Sequence, residues 1–261
     1  NEYNKKLHKD RVIQSTQYDM TTSPDEPYYR EQYWHWIKKY IVDENLPNNG
    51  NYLDIGCGQG RLTIPLAKLT HKGRVVGVDF SQPAIEKAKQ YTSEVSLENI
   101  EYQHKDILEF LKSSKDNSFD LVLFLEVTFF MPEYELALKE LKRILKPEGL
   151  LFVSFRPQYF DALCAIKNNF WDDLDMILKE RKGKLFNSNA VFTWQTSKEI
   201  HNLMEKTLQF KTLDLVGIGC CSGIKGDPHS FIMPSILDKR EKESLMELEI
   251  ALAREIPDAG R

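Results

Sequence analysis

Hydrophobic positions along the chain form short unbroken runs, and stretches with the apolar spacing of helices separate them. Runs that predict strands lie at about 51–55, 74–79, 100–105, 119–125 and 150–155. Helices are predicted between them at about 60–71, 84–91 and 133–145. Strands that alternate with helices at this spacing predict an α/β fold with a doubly wound, mostly parallel sheet.

The segment before the first strand differs from this regular core. Residues 1–27 are polar and interrupted by prolines, which predicts an irregular lead-in. A helix is predicted from Tyr28 to about Asp43, and five of its first ten residues are aromatic. The rings of Tyr18, Tyr28 and Trp36 either pack against the fold or close as a lid over a bound ligand.

The alternation also breaks after Arg156-Pro157. The elements predicted beyond it are a helix at Phe160–Lys179, a charged turn at Glu180–Lys184, a helix at about 197–206, a sixth strand at Phe210–Ile218 and a helix at Asp238–Ala253. A capping box, Thr196-x-x-Glu199, starts the second of these helices. We therefore divide the chain into a lid segment (1–46), a core (47–156), an insertion (157–196) and a C-terminal part with a second insertion (197–261).

A glycine-rich turn follows the first predicted strand. Gly56, Gly58 and Gly60 alternate with other residues, and a helix begins directly after them. Glycine lets the backbone turn sharply and lets a ligand approach without meeting a Cβ. The spacing is not G-x-G-x-x-G, so a site for a dinucleotide such as NAD is a distant alternative.

Three carboxylates lie at the ends of three successive predicted strands, at Asp54, Asp79 and Asp106. A carboxylate at the tip of the second strand is placed to accept both hydroxyls of a ribose. Taken singly, each acid is more often a helix cap or a solvated surface group. Taken together, they predict a ligand with a ribose and a donor-rich or cationic end.

Five ordered motifs then carry a family resemblance. They are LDIGCGQGRLTIPLA (53–67), VVGVDFSQPAIEKAK (75–89), HKDILEF (104–110), FDLVLFLEV (119–127) and LKRILKPEGLLFVSF (141–155). Over about 52–156 the chain resembles the class I S-adenosylmethionine-dependent methyltransferases, and within them the type 11-like group acting on small metabolites. The resemblance implies a Rossmann-like, seven-stranded sheet with helical cap insertions. The seventh strand is expected where the chain stops at Arg261, so we expect that strand to be truncated.

The resemblance also implies a cofactor, S-adenosylmethionine, with S-adenosylhomocysteine as product. Its implied cofactor contacts are Asp54, Gly56, Cys57, Gly58, Gly60, Asp79, Phe80, Asp106, Ile107 and Leu125, with Tyr18, Tyr28 and Trp36 as lid candidates. Its implied substrate contacts are Glu126, Phe129, Phe130, Arg156 and Trp194. Glu126 and His229 are the candidate general bases, although a surface histidine is the commoner case. Cys57 is expected to fill the turn rather than to react.

Charge and cysteine content narrow the function further. The 35 basic and 39 acidic residues give a net charge of −4, which argues against a nucleic-acid partner. No apolar run reaches the ~20 residues that span a bilayer, so no membrane partner is expected. Cys57, Cys164, Cys220 and Cys221 show no C-x-x-C spacing, which favours a cytoplasmic protein without structural zinc. The oligomeric state stays open.

These observations favour a methyltransferase acting on nitrogen or oxygen of a small molecule by in-line displacement. Alternatives are an enzyme of the same fold acting on protein or RNA, and a non-enzymatic partner subunit that keeps the fold. The adjacent Cys220 and Cys221, with Cys164, also admit methylation of a thiol-bound metalloid.

Overall fold

A computed structural model describes residues 18–187, 190–223 and 231–260. Helices α1 to α9 span Glu26–Asp43, Thr63–Leu69, Gln82–Glu94, Ile107–Ser113, Tyr134–Ile144, Gln158–Lys167, Trp171–Lys179, Ser197–His201 and Lys239–Glu255. Strands β1 to β7 span Asn51–Ile55, Arg74–Asp79, Ile100–His104, Phe119–Phe124, Leu145–Val153, Lys182–Lys184 and Val191–Thr193. The chain divides into two compact units.

A five-stranded parallel sheet forms the centre of the first unit, in the order β3-β2-β1-β4-β5. The unit contains residues 18–21, Ile37–Thr128 and Glu133–Ser154. Successive strands are added on one side of β1 up to β3, and the chain then returns to place β4 on the other side. This reversal creates a crevice outside the carboxyl ends of β1 and β4, where ligands bind in open α/β sheets. The predicted fold class is confirmed.

Local sequence explains the helices that cover this sheet. Ser81 caps α3 by accepting a hydrogen bond from the Ala84 amide (3.4 Å), and Pro83 lies in the first turn. The face of α3 with Ala84, Ile85 and Ala88 is buried, as its apolar spacing predicts. Strand β4 is almost wholly buried, because helices cover both faces of a parallel sheet.

The second unit contains Thr22–Trp36, Phe129–Pro132 and Phe155 onward. A small core there joins α6 and α7 to the two-stranded antiparallel ribbon of β6 and β7. Its fully buried members are Ala165, Ile177, Leu185 and Trp194. The Thr196 and Glu199 capping box that starts α8 is confirmed, and a turn of π-helix at Asn202–Thr207 continues this helix.

Three predicted elements of the chain are wrong in detail. The helix predicted at Phe160–Lys179 is two helices, α6 and α7, because Asn169 has φ +60° and breaks the α-helical path. Part of the turn predicted at Glu180–Lys184 forms β6, which pairs with β7. The strand predicted at about 150–155 starts earlier, at Leu145, and its pairing with β4 shifts between Phe119 and Leu121.

The predicted sixth strand, Phe210–Ile218, has no regular secondary structure. Its alternating apolar residues resemble a strand, but a strand needs a neighbour for its backbone groups, and this segment pairs with none of the described strands. The sheet of the described residues therefore has five strands, whereas the family resemblance implied seven.

Candidate functional site

The glycine turn after β1 is fixed to the sheet by its backbone. The amides of Gly56 and Cys57 both donate to the Val78 carbonyl, at 2.8 and 3.1 Å. Gly56 has φ +72°, and a Cβ there would lie 2.3 Å from Cγ2 of Val127. Only glycine fits this position, because the loop after β4 occupies the space of a side chain.

Gly58 presents the opposite situation. It has φ +51°, yet a Cβ built on it would meet no atom of the described residues within 4 Å. Nothing in the fold itself therefore requires close approach at Gly58. An open backbone at the tip of a glycine turn is where a ligand approaches a strand–turn–helix unit most closely.

Asp79, at the end of β2, faces this turn. Its Oδ2 accepts a hydrogen bond from the Gly58 amide (2.9 Å), and its Oδ1 accepts one from the Ser81 amide (2.8 Å). The residue is only 8% exposed. Burial raises the pKa of Asp79, although the two backbone donors and His104 act in the opposite direction. The carboxylate thus holds the open glycine in place.

Asp54, near the carboxyl end of the central strand β1, is also buried. Its Oδ2 accepts a hydrogen bond from the Thr63 hydroxyl at 2.5 Å. Burial raises the pKa of Asp54 to about 6, and the charge of Asp79 adds to the rise, while Thr63 and Arg61 lower it. Two buried acids that repel each other favour a positively charged or donor-rich ligand in this crevice.

Asp106 serves as a helix cap in this structure. Its Oδ1 accepts hydrogen bonds from the amides of Leu108 and Glu109 at the start of α4. The cap was the alternative to the predicted cofactor contact, which stays a prediction. Phe80 is partly exposed, and its carbonyl lies 2.9 Å from Nε2 of His104, while Ile107 is buried.

The loop after β4 holds its backbone in an unusual conformation. Glu126 has φ +60°, and its amide donates to the Ser154 hydroxyl (2.7 Å). Thr128 donates its hydroxyl to the Ser154 carbonyl (2.6 Å), so β5 supports both residues. Positive φ in a residue with a Cβ is strained, and the two contacts with Ser154 hold this loop in that conformation. Leu125 and Glu126 are both partly exposed.

Sequence reasoning missed the contact that joins the lead-in to the glycine turn. The Gln59 side chain donates to the Tyr18 carbonyl (2.9 Å) and accepts from the Met20 amide (3.0 Å). The Tyr91 hydroxyl on α3 donates to Asp19 at 2.6 Å. In the sequence, the only signal for this contact is that Gln59 lies between two glycines. The backbone of Tyr18 is thereby held beside the turn.

Other predicted residues lie in the second unit. Its Arg156 guanidinium carbon lies 4.6 Å from the ring centre of Phe129, 4.9 Å from that of Phe160 and 5.8 Å from that of Phe192. Phe130 packs against both Phe129 and Phe192, with ring centres 4.4 and 5.6 Å apart. Three of the five predicted substrate residues, Arg156, Phe129 and Phe130, are therefore brought together.

Trp194, the fifth predicted substrate residue, is a core residue instead. It is 0% exposed, and its Nε1 donates to the carbonyls of Ile177 and Glu180. Both its ring and its polar atom are engaged inside the fold, and a substrate contact of this side chain stays a prediction. An aromatic run in the sequence cannot distinguish a pocket lining from a core.

The two lid candidates on α1 are grouped with the second unit rather than with the glycine turn. Tyr28 is 9% exposed, and its hydroxyl has no hydrogen-bond partner among the residues that the structure describes. Trp36 is 6% exposed, and the Arg254 guanidinium carbon lies 4.9 Å from its ring centre. Both rings act in packing, while their role as a lid stays a prediction. His229 lies outside the described residues.

Cysteines, metals and membranes add little to the site. Cys57 is buried in the turn, where burial and the charges of Asp54 and Asp79 raise the pKa of its thiol. Among the described residues, no group of three or more His, Cys, Asp or Glu side chains is arranged to hold a metal ion. In the same part of the chain, no helix has the length and apolar content that crossing a membrane requires.

Comparisons with known proteins agree with this geometry. A family model described as a methyltransferase domain matches residues 46–209. Demethylmenaquinone methyltransferase of Staphylococcus aureus is 38% identical over 122 residues, which cover 46% of this chain and 49% of that protein. The chain thus spans about half the length of the curated relatives it matches.

Solved structures show the same fold. The PH0226 protein of Pyrococcus horikoshii OT3 aligns with a TM-score of 0.52 and 24% identity, over 71% of this chain and 82% of that chain. Magnesium protoporphyrin IX methyltransferase of Synechocystis PCC 6803 with bound S-adenosylhomocysteine aligns with a TM-score of 0.50 and 20% identity, over 70% and 73%. At these identities the likeness concerns the fold alone.

Proposed function

The chain belongs to the methyltransferase domain family, within the class I S-adenosylmethionine-dependent methyltransferases, and we propose that it methylates nitrogen or oxygen of a small molecule. The domain is that of an enzyme, and S-adenosylmethionine is the cofactor of its class. The narrower assignment, to the group acting on small metabolites, is part of the proposal.

The observation that carries the proposal is the open side of Gly58 beside Asp79. The amide of Gly58 is held by Asp79, and no atom of the described residues lies within 4 Å of the position where a Cβ would be. The residues present fit the cofactor, because buried Asp54 and Asp79 favour a ligand with a positive charge and hydroxyl donors. We assign the ribose hydroxyls to Asp79 and the amino end to the neighbourhood of Asp54.

When bound, S-adenosylmethionine supplies an electrophilic methyl group whose leaving group is neutral. The protein then needs no acid for the leaving group. Its residues act by holding the two reactants in line and by excluding water. The pinned turn at Gly56 and the strained loop at Glu126 provide rigid walls for this purpose. Glu126 is our candidate for removing a proton from the acceptor.

Calorimetric titration with S-adenosylhomocysteine tests the cofactor site. Asp79→Asn keeps the side-chain volume but removes the charge, so affinity is expected to fall about 10- to 150-fold, as for a charged hydrogen bond of ~1.5–3 kcal/mol. Glu98→Gln, an exposed acid with the same charge change, is the matched control and leaves affinity unchanged. No binding to the wild-type protein, or equal binding by Asp79→Asn, refutes the assignment.

The acceptor class is a separate question. The net charge of −4 and the relative whose name concerns demethylmenaquinone support a small molecule rather than RNA or protein. Methyl-labelled cofactor incubated with a fractionated extract tests this. Label in compounds below about 1 kDa is expected, whereas label confined to protein or RNA fractions favours the alternative enzyme class.

A further inference from the structure

Arg156 in the second unit has a guanidinium group that aromatic rings surround, but its N–H donors make no hydrogen bond within the described residues. The rings of Phe129, Phe160 and Phe192 surround it at 4.6 to 5.8 Å. Its only ion pair among the described residues joins Nε to Oδ1 of Asp161 at 3.7 Å, which is longer than a hydrogen bond. In the described part of the chain, none of its five N–H donors is hydrogen-bonded.

Asp161 lies behind the arginine and is completely enclosed. Its side chain is 0% exposed, and neither of its oxygens has a hydrogen-bond partner within residues 18–187, 190–223 and 231–260. Burial raises the pKa of Asp161 to about 6, although Arg156 lowers it, so the distant guanidinium stabilises the anion only in part. A buried carboxylate without a hydrogen bond is rare inside proteins and requires an explanation.

Exposure decides which of the two groups meets a ligand. The Arg156 side chain is 14% exposed and that of Asp161 is not exposed at all, so an incoming molecule has access to Arg156 and not to Asp161. The rings contact the guanidinium through their faces and accept no conventional hydrogen bond from it, so its N–H donors are left for a ligand. Asp161 is therefore a positioning residue that supplies a counter-charge from behind.

The chemistry of the patch identifies its ligand. Two terminal nitrogens of an arginine match the two oxygens of a carboxylate in a bidentate pair. Phe130 and Phe192 are partly exposed beside it and offer ring surface to a flat apolar group. We propose that Arg156, backed by Asp161 and flanked by Phe130 and Phe192, forms a binding site for an aromatic carboxylate.

This proposal deepens the proposed function, because an aromatic acid bound here is the class of acceptor that we expect. Only the role of the acid as methyl acceptor rests on the methyltransferase proposal. Binding of the acid at Arg156 is independent of it. The two are distinguishable, because titration with S-adenosylhomocysteine reports only on the cofactor site. If the protein binds the acid but does not bind S-adenosylhomocysteine, the Arg156 site is supported and the proposed function is refuted.

The test is a fluorine NMR titration of the full chain with 4-(trifluoromethyl)benzoate and with its neutral isostere, 4-(trifluoromethyl)benzamide. The wild-type protein is expected to bind the acid at least tenfold more tightly than the amide. Arg156→Met should abolish this preference, and Arg156→Lys should reduce it, because lysine keeps the charge but not the fork. Arg240→Met, an exposed arginine of the same unit, should retain it.

Equal affinity for the acid and the amide overturns the proposal without any variant. So does an acid affinity that survives Arg156→Met. Asp161→Asn provides a second measurement if Arg156→Met does not fold. This variant should still prefer the acid over the amide, because Asp161 does not touch the ligand, but the ratio of the two affinities should change. An acid affinity that is completely insensitive to Asp161→Asn contradicts the positioning role.

Discussion

Gly58→Ala separates the role of the glycine turn in binding from its role in the fold. In the folded protein the added Cβ meets no described atom within 4 Å, so the only cost to stability is the backbone conformation at φ +51°. That cost is about 1–2 kcal/mol for a residue with a Cβ, less ~0.4–1 kcal/mol gained because alanine restricts the unfolded chain. A loss of about 1 kcal/mol is therefore expected.

Cofactor affinity should fall far more. The new methyl group occupies the space beside the Asp79-held amide where we place the ligand, and overpacking of this kind costs about 1–3 kcal/mol. That corresponds to a roughly 5- to 150-fold weaker affinity for S-adenosylhomocysteine. Thermal or denaturant unfolding gives the first quantity, and calorimetric titration gives the second.

Asn117→Ala is the matched control for this variant. Asn117 also has positive φ (+49°), in the same unit, but it lies before β4 at the opposite edge of the sheet. It should show a similar loss of stability with unchanged affinity. An affinity of Gly58→Ala within threefold of the wild-type value refutes the reasoning, because the open side of the turn would then not face the cofactor.

Three further variants test the buried groups. Asp54→Asn should stabilise the protein at pH 8 by up to about 3 kcal/mol but not at pH ~3, because the folded pKa of about 6 exceeds the unfolded value of 3.8 and stability is lost as the pH rises from the unfolded to the folded pKa; a constant difference across pH contradicts this. Glu249→Ala should cost roughly 3–5 kcal/mol in denaturant unfolding, since three backbone amides lose the carboxylate they bind, whereas exposed Glu247→Ala should cost little. Gln59→Leu should speed hydrogen exchange at the Met20 amide, and unchanged exchange there would show that the lead-in is held by other contacts.

The sequence by itself determined the sheet, the glycine turn and most helices of the first unit. These features depend on local rules: buried parallel strands are apolar throughout, Ser81 caps the helix that follows it, and Gly56 permits a turn that a side chain would block. Each rule involves residues that are close in the chain, so the pattern of types is sufficient.

Only the tertiary structure decided which polar groups meet and which rings are buried. Gln59 binds the backbone of Tyr18, 41 positions away, and Glu249 binds amides 27 to 29 positions away. Trp194 and the rings around Arg156 are all aromatic residues in the sequence, yet Trp194 is enclosed by α6 and α7 whereas the other rings surround a cation. The hydrophobic pattern predicts that a residue is buried or paired, but packing across the fold determines its partner. Many arrangements of the elements satisfy the same local preferences.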